Sequence, residues 1–209
     1  MTKVPIAGEV KTRLSGEIGE QHATEVYKCF ILDTLNTLEQ IGIPIIVYFT
    51  PEDQLETLME TTGNRYEFIP QVGKDLGKRL YNGFEIAKKK GYKHAFALAT
   101  DVPDIGHSIL EDCITNLYEH EAVLGPCPDG GYYLIGLQLD KNDEKFFNGI
   151  KWGSSTVLHE TIERMKDTDL HLCESWDDVD GLDELSSLWE SETATHTRGY
   201  LNENMKRPK

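Results

Sequence analysis

Apolar positions along the chain follow two spacings in turn, which predict helices alternating with strands. Residues 20–40 carry apolar side chains at intervals of three and four, the pattern of a helix with one buried face. Residues 43–49 are a β-branched and aromatic run, typical of a strand covered on both faces. A helix from Pro51 to about Thr61 should follow, because Thr50 can cap it and acidic residues fill its first turn.

The same alternation continues through most of the remaining chain. It predicts strands at 66–70, 94–100 and 169–173, and helices over about 80–90, 108–120, from 157 and over 182–189. Residues 122–136 differ, because two strand-like runs flank a Pro-Asp-Gly-Gly turn and indicate a hairpin. The whole pattern predicts a three-layer α/β fold with a mostly parallel sheet and right-handed crossovers. We expect one domain over residues 1–192 and a polar, mobile C-terminal tail over 193–209.

The charge balance excludes several classes of partner. The formal net charge is −15, with 36 acidic against 21 basic residues, which argues against nucleic acid or an anionic membrane surface as the main partner. No apolar run is long enough to span a bilayer, and the first residues lack the apolar core of a signal peptide. We therefore expect a cytoplasmic protein; the sequence carries no feature that sets its oligomeric state.

The four cysteines do not form a recognisable metal or disulfide pattern. They lie far apart at positions 29, 113, 127 and 173, without a CxxC pair or a histidine at ligand spacing. Cys127 lies beside Asp129 in a polar loop, but it has no partner base in the sequence that would activate it. A zinc site, a disulfide framework and a cysteine nucleophile are all disfavoured.

Asp101 stands at the end of the predicted strand 94–100, where Pro103 stops the ladder. Ligands of open α/β sheets collect outside the carboxyl ends of the strands, so Asp101 is placed to meet a metal or a polar substrate group. Asp101 could equally cap the helix that follows. The residues alone leave both interpretations open.

Two further loops add charge that could serve one site. Lys11 and Arg13 lie in a glycine-containing loop before the first long helix, and they supply local positive charge suited to phosphates. The loop does not match a Walker A or GxGxxG pattern, and such a basic loop is often only solvated surface. Asp101 could share Mg²⁺ or Mn²⁺ with Asp178 or Asp180, although these acids also suit turns and caps.

Six short motifs in a fixed order resemble one protein family. They are KVPIAGEVKTRL, QVGKDLGKR, ATDVPDI, GPCPDGGYYLIGL, FFNGIKWGSSTV and DDVDGLDELSSL, and they extend from Lys3 to Leu188. This set resembles the radical-SAM/selenodomain-associated transferase 1 family, a glycosyltransferase-like group of the GT-A nucleotide-diphospho-sugar transferase superfamily. The layout is more distantly similar to the 2-phospho-lactate and molybdenum-cofactor guanylyltransferases.

The resemblance implies roles for individual residues. It implies that Asp101 and Asp180 bind the metal and that Asp129 acts as general base toward the acceptor. It implies an acceptor side formed by Gly130, Gly131 and Trp152. The nucleotide-binding residues that it implies are Pro5, Gly8, Lys11, Arg13, Gln71, Gly73, Asp75 and Arg79.

The function implied is a metal-dependent transferase with a nucleotide-activated donor. The donor expected is a nucleotide sugar, transferred to a small-molecule acceptor with Mg²⁺ or Mn²⁺ as cofactor. One alternative is a nucleotidyltransferase that takes a nucleoside triphosphate and releases pyrophosphate. Another is a nucleotide-binding protein without catalytic activity.

The first strand departs from the family pattern. Relatives begin with an apolar strand before the KxPxxG loop, whereas only Met1–Lys3 precede Val4 here. Three extended residues span roughly 10 Å, too little for a central strand. We therefore expect a truncated first strand and, in this chain, lower stability and weaker activity.

Overall fold

The computed structural model describes residues 1–207. The chain folds into two units, each with its own sheet. The first unit comprises residues 1–70, 100–107 and the described part of 177–209; the second comprises 71–99 and 108–176. The strands are β1 Thr2–Lys3, β2 Ile46–Thr50, β3 Glu67–Pro70, β4 His94–Leu98, β5 Ala122–Pro126, β6 Tyr132–Gln138 and β7 Leu170–Leu172. The α-helices are α1 Thr12–Ile18, α2 Glu20–Ile41, α3 Leu55–Thr62, α4 Leu76–Lys89, α5 His107–Glu119, α6 Val157–Arg164, α7 Leu182–Ser187 and α8 Thr195–Asn204.

The first unit contains a parallel sheet in the order β1-β2-β3. Strand β1 has two residues, with Thr2 opposite Phe49 of β2, so the first strand is as short as the sequence predicted. Helix α2 supplies a large part of the core, since Val26, Phe30 and Ile31 are buried. The three-to-four spacing of apolar residues in this segment therefore predicted both the helix and its buried face.

The prediction for residues 50–54 was wrong in detail. A short 3₁₀ helix covers Glu52–Gln54, and the α-helix begins at Leu55 instead of Pro51. No side chain caps either helix, so Thr50 does not act as the predicted cap. The Thr50–Pro51 peptide bond is cis, and Pro51 itself is extended.

The second unit contains a mixed sheet in the order β4-β6-β5-β7. Strand β6 is antiparallel to both neighbours, whereas β5 and β7 are parallel. Strands β5 and β6 form the hairpin predicted from the Pro-Asp-Gly-Gly turn. The α/β fold class is confirmed; the antiparallel pairs all involve β6.

Residues 195–204 form helix α8, where the sequence indicated a mobile polar tail. Asp33 of α2 is buried and accepts hydrogen bonds from the backbone N–H groups of His196 (2.8 Å) and Thr197 (2.9 Å) and from the Thr197 hydroxyl (2.7 Å). These bonds satisfy donors of the first turn of α8 that the helix itself leaves free. A carboxylate from a distant part of the chain thus caps this helix, a contact that local sequence patterns do not reveal.

No helix in the described residues is long and apolar enough to cross a membrane.

Candidate functional site

The predicted phosphate loop brings Lys11 into the interior of the first unit. The loop follows β1, and Val4 donates from its backbone N–H to the carbonyl of Thr50 (2.8 Å). Pro5 is buried, whereas Gly8 is exposed on the surface. Lys11 has φ 45° and ψ 50°, a left-handed conformation that lysine rarely adopts. The turn at Lys11 ends the loop and starts α1.

The Lys11 ammonium lies among three oxygen atoms. Its Nζ is 2.7 Å from Asp101 Oδ1, 3.1 Å from Asp180 Oδ1 and 2.7 Å from the backbone carbonyl of Val179. The Lys11 side chain is only 5% exposed, while those of Asp101 and Asp180 are 39% and 45% exposed. The Phe30 ring lies 5.6 Å from Nζ. The structure therefore brings Lys11, Asp101 and Asp180 together, as expected for one site.

Arg13 lies at the exposed edge of this group, in the first turn of helix α1 and not in the loop where the sequence predicted it. Its guanidinium is 3.3 Å from Asp180 Oδ2, and its side chain is 80% exposed. An exposed pair of this kind contributes little to stability, so the Arg13 side chain can move to another anion at small cost. Its position is compatible with the predicted contact to a phosphate.

Electrostatics keeps Lys11 protonated in this environment. Burial on its own would lower the pKa of Lys11, but the charges of Asp101 and Asp180 and their hydrogen bonds outweigh burial and raise it above its ordinary value. The ammonium is thus the counter-charge of the two carboxylates in the free protein.

Backbone and hydroxyl hydrogen bonds hold the two acidic loops in place. Val179 donates its N–H to the Asp101 carbonyl at 2.8 Å, which fixes one loop to the other. The Tyr27 hydroxyl is 3.0 Å from Thr100 Oγ1 and 3.1 Å from Thr2 Oγ1. Burial, with a smaller contribution from the Asp101 charge, raises the pKa of Tyr27, so this hydroxyl stays neutral. Asp101 thus follows a residue that is anchored to helix α2.

The sequence left two roles open for Asp101: a cap of the following helix, or a ligand of a metal or polar substrate group. Helix α5 begins at His107, well beyond Asp101, and the Asp101 carboxylate is engaged by Lys11. Asp101 therefore does not cap that helix. Two carboxylate oxygens and one carbonyl oxygen converge on the Lys11 ammonium, and such oxygens are the ligands that Mg²⁺ and Mn²⁺ prefer. The residues present fit a divalent cation at the point that the ammonium takes.

In the second unit, residues 71–79 form a loop and the first turn of α4, and hydrogen bonds within the segment hold it together. Asp75 caps α4 by accepting from the Lys78 N–H at 2.8 Å, and Arg79 Nε donates to the Gly73 carbonyl at 3.1 Å. Gln71 is half-buried at the start of the segment. Asp75 and Arg79 thus have structural partners here, and the nucleotide contacts predicted for Gln71, Gly73, Asp75 and Arg79 stay predictions.

The hairpin turn of the second unit presents Asp129 on the surface. Asp129 Oδ1 accepts from the Gly131 N–H at 2.7 Å, which shapes the turn. Gly130 has φ 91°, and a Cβ there would lie 2.0 Å from the Ser155 carbonyl oxygen. Only glycine fits this point of close approach. The carboxylate is accessible, but its role as general base stays a prediction.

Trp152 packs against two other elements of the second unit. Its ring lies edge-on to Tyr132 with centroids 6.4 Å apart. A Cβ on Gly77 would lie 2.8 Å from the Trp152 indole, so α4 approaches this ring closely. Trp152 is half-buried and has a packing role, and its predicted contact with an acceptor stays a prediction.

Sequence reasoning missed three groups of this site: the Val179 carbonyl and the Phe30 ring, which lie next to the Lys11 ammonium, and the Tyr27 hydroxyl, which lies next to Thr100. A backbone carbonyl carries no residue signature, and Phe30 and Tyr27 look like ordinary core positions of α2.

The fold is the α/β fold of nucleotide-diphospho-sugar transferases and nucleotidyltransferases. A putative nucleotide-diphospho-sugar transferase of Desulfovibrio desulfuricans G20 is 30% identical with a TM-score of 0.87, over 95% of this chain and 91% of that one. A cytidylyltransferase of Leptospira borgpetersenii is 14% identical with a TM-score of 0.56, over 97% of this chain and 92% of that one. A 4-diphosphocytidyl-2C-methyl-D-erythritol synthase of Anaerococcus prevotii is 9% identical with a TM-score of 0.57, over 96% of each chain. The last two similarities are of fold alone.

Residues 34–154, more than half of the chain, match the DUF2064 family, described as "Uncharacterized protein conserved in bacteria". The protein belongs to this family. Asp101 lies within the matched segment, whereas Lys11, Arg13 and Asp180 lie outside it. No curated protein matches the chain.

Proposed function

We propose that this protein is a metal-dependent transferase that uses a nucleotide-activated donor, and that the donor is a nucleotide sugar. The observation that carries this proposal is the convergence of the Asp101, Asp180 and Val179 oxygens on the point that the Lys11 ammonium takes, with Arg13 at the exposed edge. A diphosphate needs both a cation and basic side chains to neutralise its charge. One small region of the first unit contains two carboxylates that would hold the cation and two basic side chains.

Each residue has a definite role in this proposal. Asp101 and Asp180 would hold Mg²⁺ or Mn²⁺, which when bound would neutralise the charge of the donor diphosphate and of the departing nucleotide. Arg13 is exposed and would reach a phosphate by a change of rotamer. Lys11 would give the diphosphate a second positive partner. The first loop and the two acidic loops thus form the donor side.

The relative from Desulfovibrio desulfuricans supports this proposal. That protein is described as a nucleotide-diphospho-sugar transferase, and the similarity extends over 95% of this chain at 30% identity. The finer assignment to the radical-SAM/selenodomain-associated transferase 1 family rests on the six sequence motifs. The acceptor roles of Asp129, Gly130, Gly131 and Trp152 rest on the same motifs.

A nucleotidyltransferase is the second candidate, because the same cation position would suit the phosphates of a nucleoside triphosphate. In that reaction a substrate phosphate attacks the α-phosphorus and pyrophosphate leaves. Two proteins of similar fold carry nucleotidyltransferase names, although at 14% and 9% identity they support only the fold. The identity of the leaving group separates the two reactions.

A thermal-shift screen followed by product analysis tests the proposal. Nucleotide sugars and nucleoside triphosphates are added with and without Mn²⁺, and a ligand that binds the native state raises the unfolding temperature. We expect a Mn²⁺-dependent increase with a nucleotide sugar, and release of nucleoside diphosphate when an acceptor is present. Pyrophosphate release from a triphosphate would favour the second candidate. Binding of donors without turnover of any of them would contradict both.

A further inference from the structure

Lys11 occupies the position that a divalent cation would take under the proposed function. We infer that the Lys11 ammonium is an internal competitor of the metal, and that it leaves the two carboxylates for the donor diphosphate when the metal binds. This inference rests on the proposed function and adds a control step to the same site.

The Lys11 ammonium and a metal ion would compete for the same oxygen atoms of Asp101, Asp180 and Val179. The three N–H groups of Lys11 Nζ are matched by three oxygens at 2.7, 3.1 and 2.7 Å. A Mg²⁺ or Mn²⁺ ion held by Asp101 and Asp180 would need the carboxylate oxygens that now accept from the ammonium. One of the two cations has to leave.

The backbone at Lys11 suggests that its packed position is imposed by its surroundings. The residue is held in the left-handed region at φ 45°, which persists for a non-glycine residue only where surrounding contacts determine it. The contacts that hold the ammonium itself are the three oxygens and the Phe30 ring. A lysine stem has four rotatable carbons, so the ammonium can move to a nearby phosphate without a change of the backbone.

Charge balance predicts that metal and diphosphate bind together. In the free protein the two basic groups, Lys11 and Arg13, neutralise the carboxylates of Asp101 and Asp180. A divalent cation alone would add positive charge next to the buried ammonium. A diphosphate removes that excess and offers Lys11 new oxygen partners, so each ligand should strengthen binding of the other.

The direct test measures Mn²⁺ alone, by calorimetry and by loss of the free-ion EPR signal, on the full chain and on Lys11→Met. Methionine keeps a long, unbranched side chain and removes the charge. We expect Lys11→Met to bind Mn²⁺ more tightly than the unaltered protein by about tenfold or more. Lys28→Met is the matched control, because Lys28 pairs with Glu25 at 2.7 Å on α2 and should leave Mn²⁺ affinity unchanged.

A double variant separates this inference from the proposed function. If Lys11→Met binds Mn²⁺ no more tightly than the unaltered protein, and Asp101→Asn abolishes binding in both backgrounds, the metal site stands and the competition is refuted. If neither the unaltered protein nor Lys11→Met binds Mn²⁺, the proposed metal site itself is refuted, and the competition with it.

A second measurement uses the unaltered protein, so it does not depend on a variant that folds. Acetic anhydride labelling followed by mass spectrometry reports how accessible the Lys11 amine is. We expect slow labelling of Lys11, which is 5% exposed, and faster labelling once Mn²⁺ saturates the protein. Lys28, at 34% exposure, should label at the same rate in both states. A Lys11 rate that does not change on saturation would overturn the inference.

Discussion

Tyr27 shows how a single buried hydroxyl can hold a candidate site in place. Its oxygen lies within 3.1 Å of Thr2 Oγ1, Thr100 Oγ1 and the Lys3 N–H. Thr100 is the residue before Asp101, so the hydroxyl links helix α2 to the start of the acidic loop. Its hydrogen bonds join three segments that are far apart in the chain.

Removal of this hydroxyl should weaken the first unit. We expect Tyr27→Phe to lower the free energy of unfolding by about 1–2 kcal/mol, because buried partners lose a hydrogen bond without access to water. Urea denaturation measures the change. Tyr118→Phe is the control, since the Tyr118 side chain is 66% exposed and the change should be within about 0.5 kcal/mol. Equal effects of the two substitutions would contradict the role given to Tyr27.

At the scale of elements, helix α8 depends on a carboxylate supplied by helix α2. Asp33 is buried and accepts three hydrogen bonds from His196 and Thr197. The ring of Tyr200 lies edge-on to His22, and its hydroxyl is 2.8 Å from His22 Nδ1, which adds a second contact between the two helices. Polar contacts thus help to hold a helix whose sequence resembles a surface tail.

The titration of Asp33 should be visible in the pH dependence of stability. Burial raises the pKa of Asp33 above its usual value of 3.8, although the hydrogen bonds from Thr197 and His196 partly oppose this. In the pH range between the usual pKa and the raised pKa of Asp33, the native state therefore binds more protons than the unfolded chain. The contribution of Asp33 to the free energy of unfolding falls as the pH rises through this range. The Asp33→Asn variant has no titratable group at this position, so its stability should lack this pH dependence.

Urea denaturation at several pH values from 4 to about 7 checks this expectation. The stability of the unaltered protein relative to Asp33→Asn should decrease as pH increases. Glu25→Gln on the same helix is the control, because Glu25 is 40% exposed and pairs only with Lys28 among the contacts described here. A relative stability that rises with pH over this range would contradict the assignment.

At the scale of the whole molecule, the sequence predicted the elements whose apolar residues recur at a regular spacing. It did not predict an element that is stabilised by residues far away in the chain. Helix α2 and the β5–β6 hairpin were predicted because their signals are local. Helix α8 was not, since its cap comes from Asp33, more than 160 positions away. Local structure was predictable wherever the stabilising contacts are themselves local.

The candidate site likewise has residues that the sequence could predict and a contact that it could not. Asp101 and Asp180 could be predicted from loop positions and from the family resemblance. That Lys11 lies between them could not, because its contact with Val179 joins residues 168 positions apart. The expected partner of Lys11 was a phosphate, and the structure gives it two carboxylates instead.

The central claim is that Asp101 binds a metal that is needed to hold the nucleotide. Calorimetry with the nucleotide sugar from the thermal-shift screen, with and without Mn²⁺, tests it on the unaltered protein, Asp101→Asn and the exposed control Asp53→Asn. Circular dichroism first confirms that each variant is folded. We expect Asp101→Asn to lose Mn²⁺-dependent nucleotide binding while Asp53→Asn keeps it. An unchanged affinity in Asp101→Asn would contradict the claim.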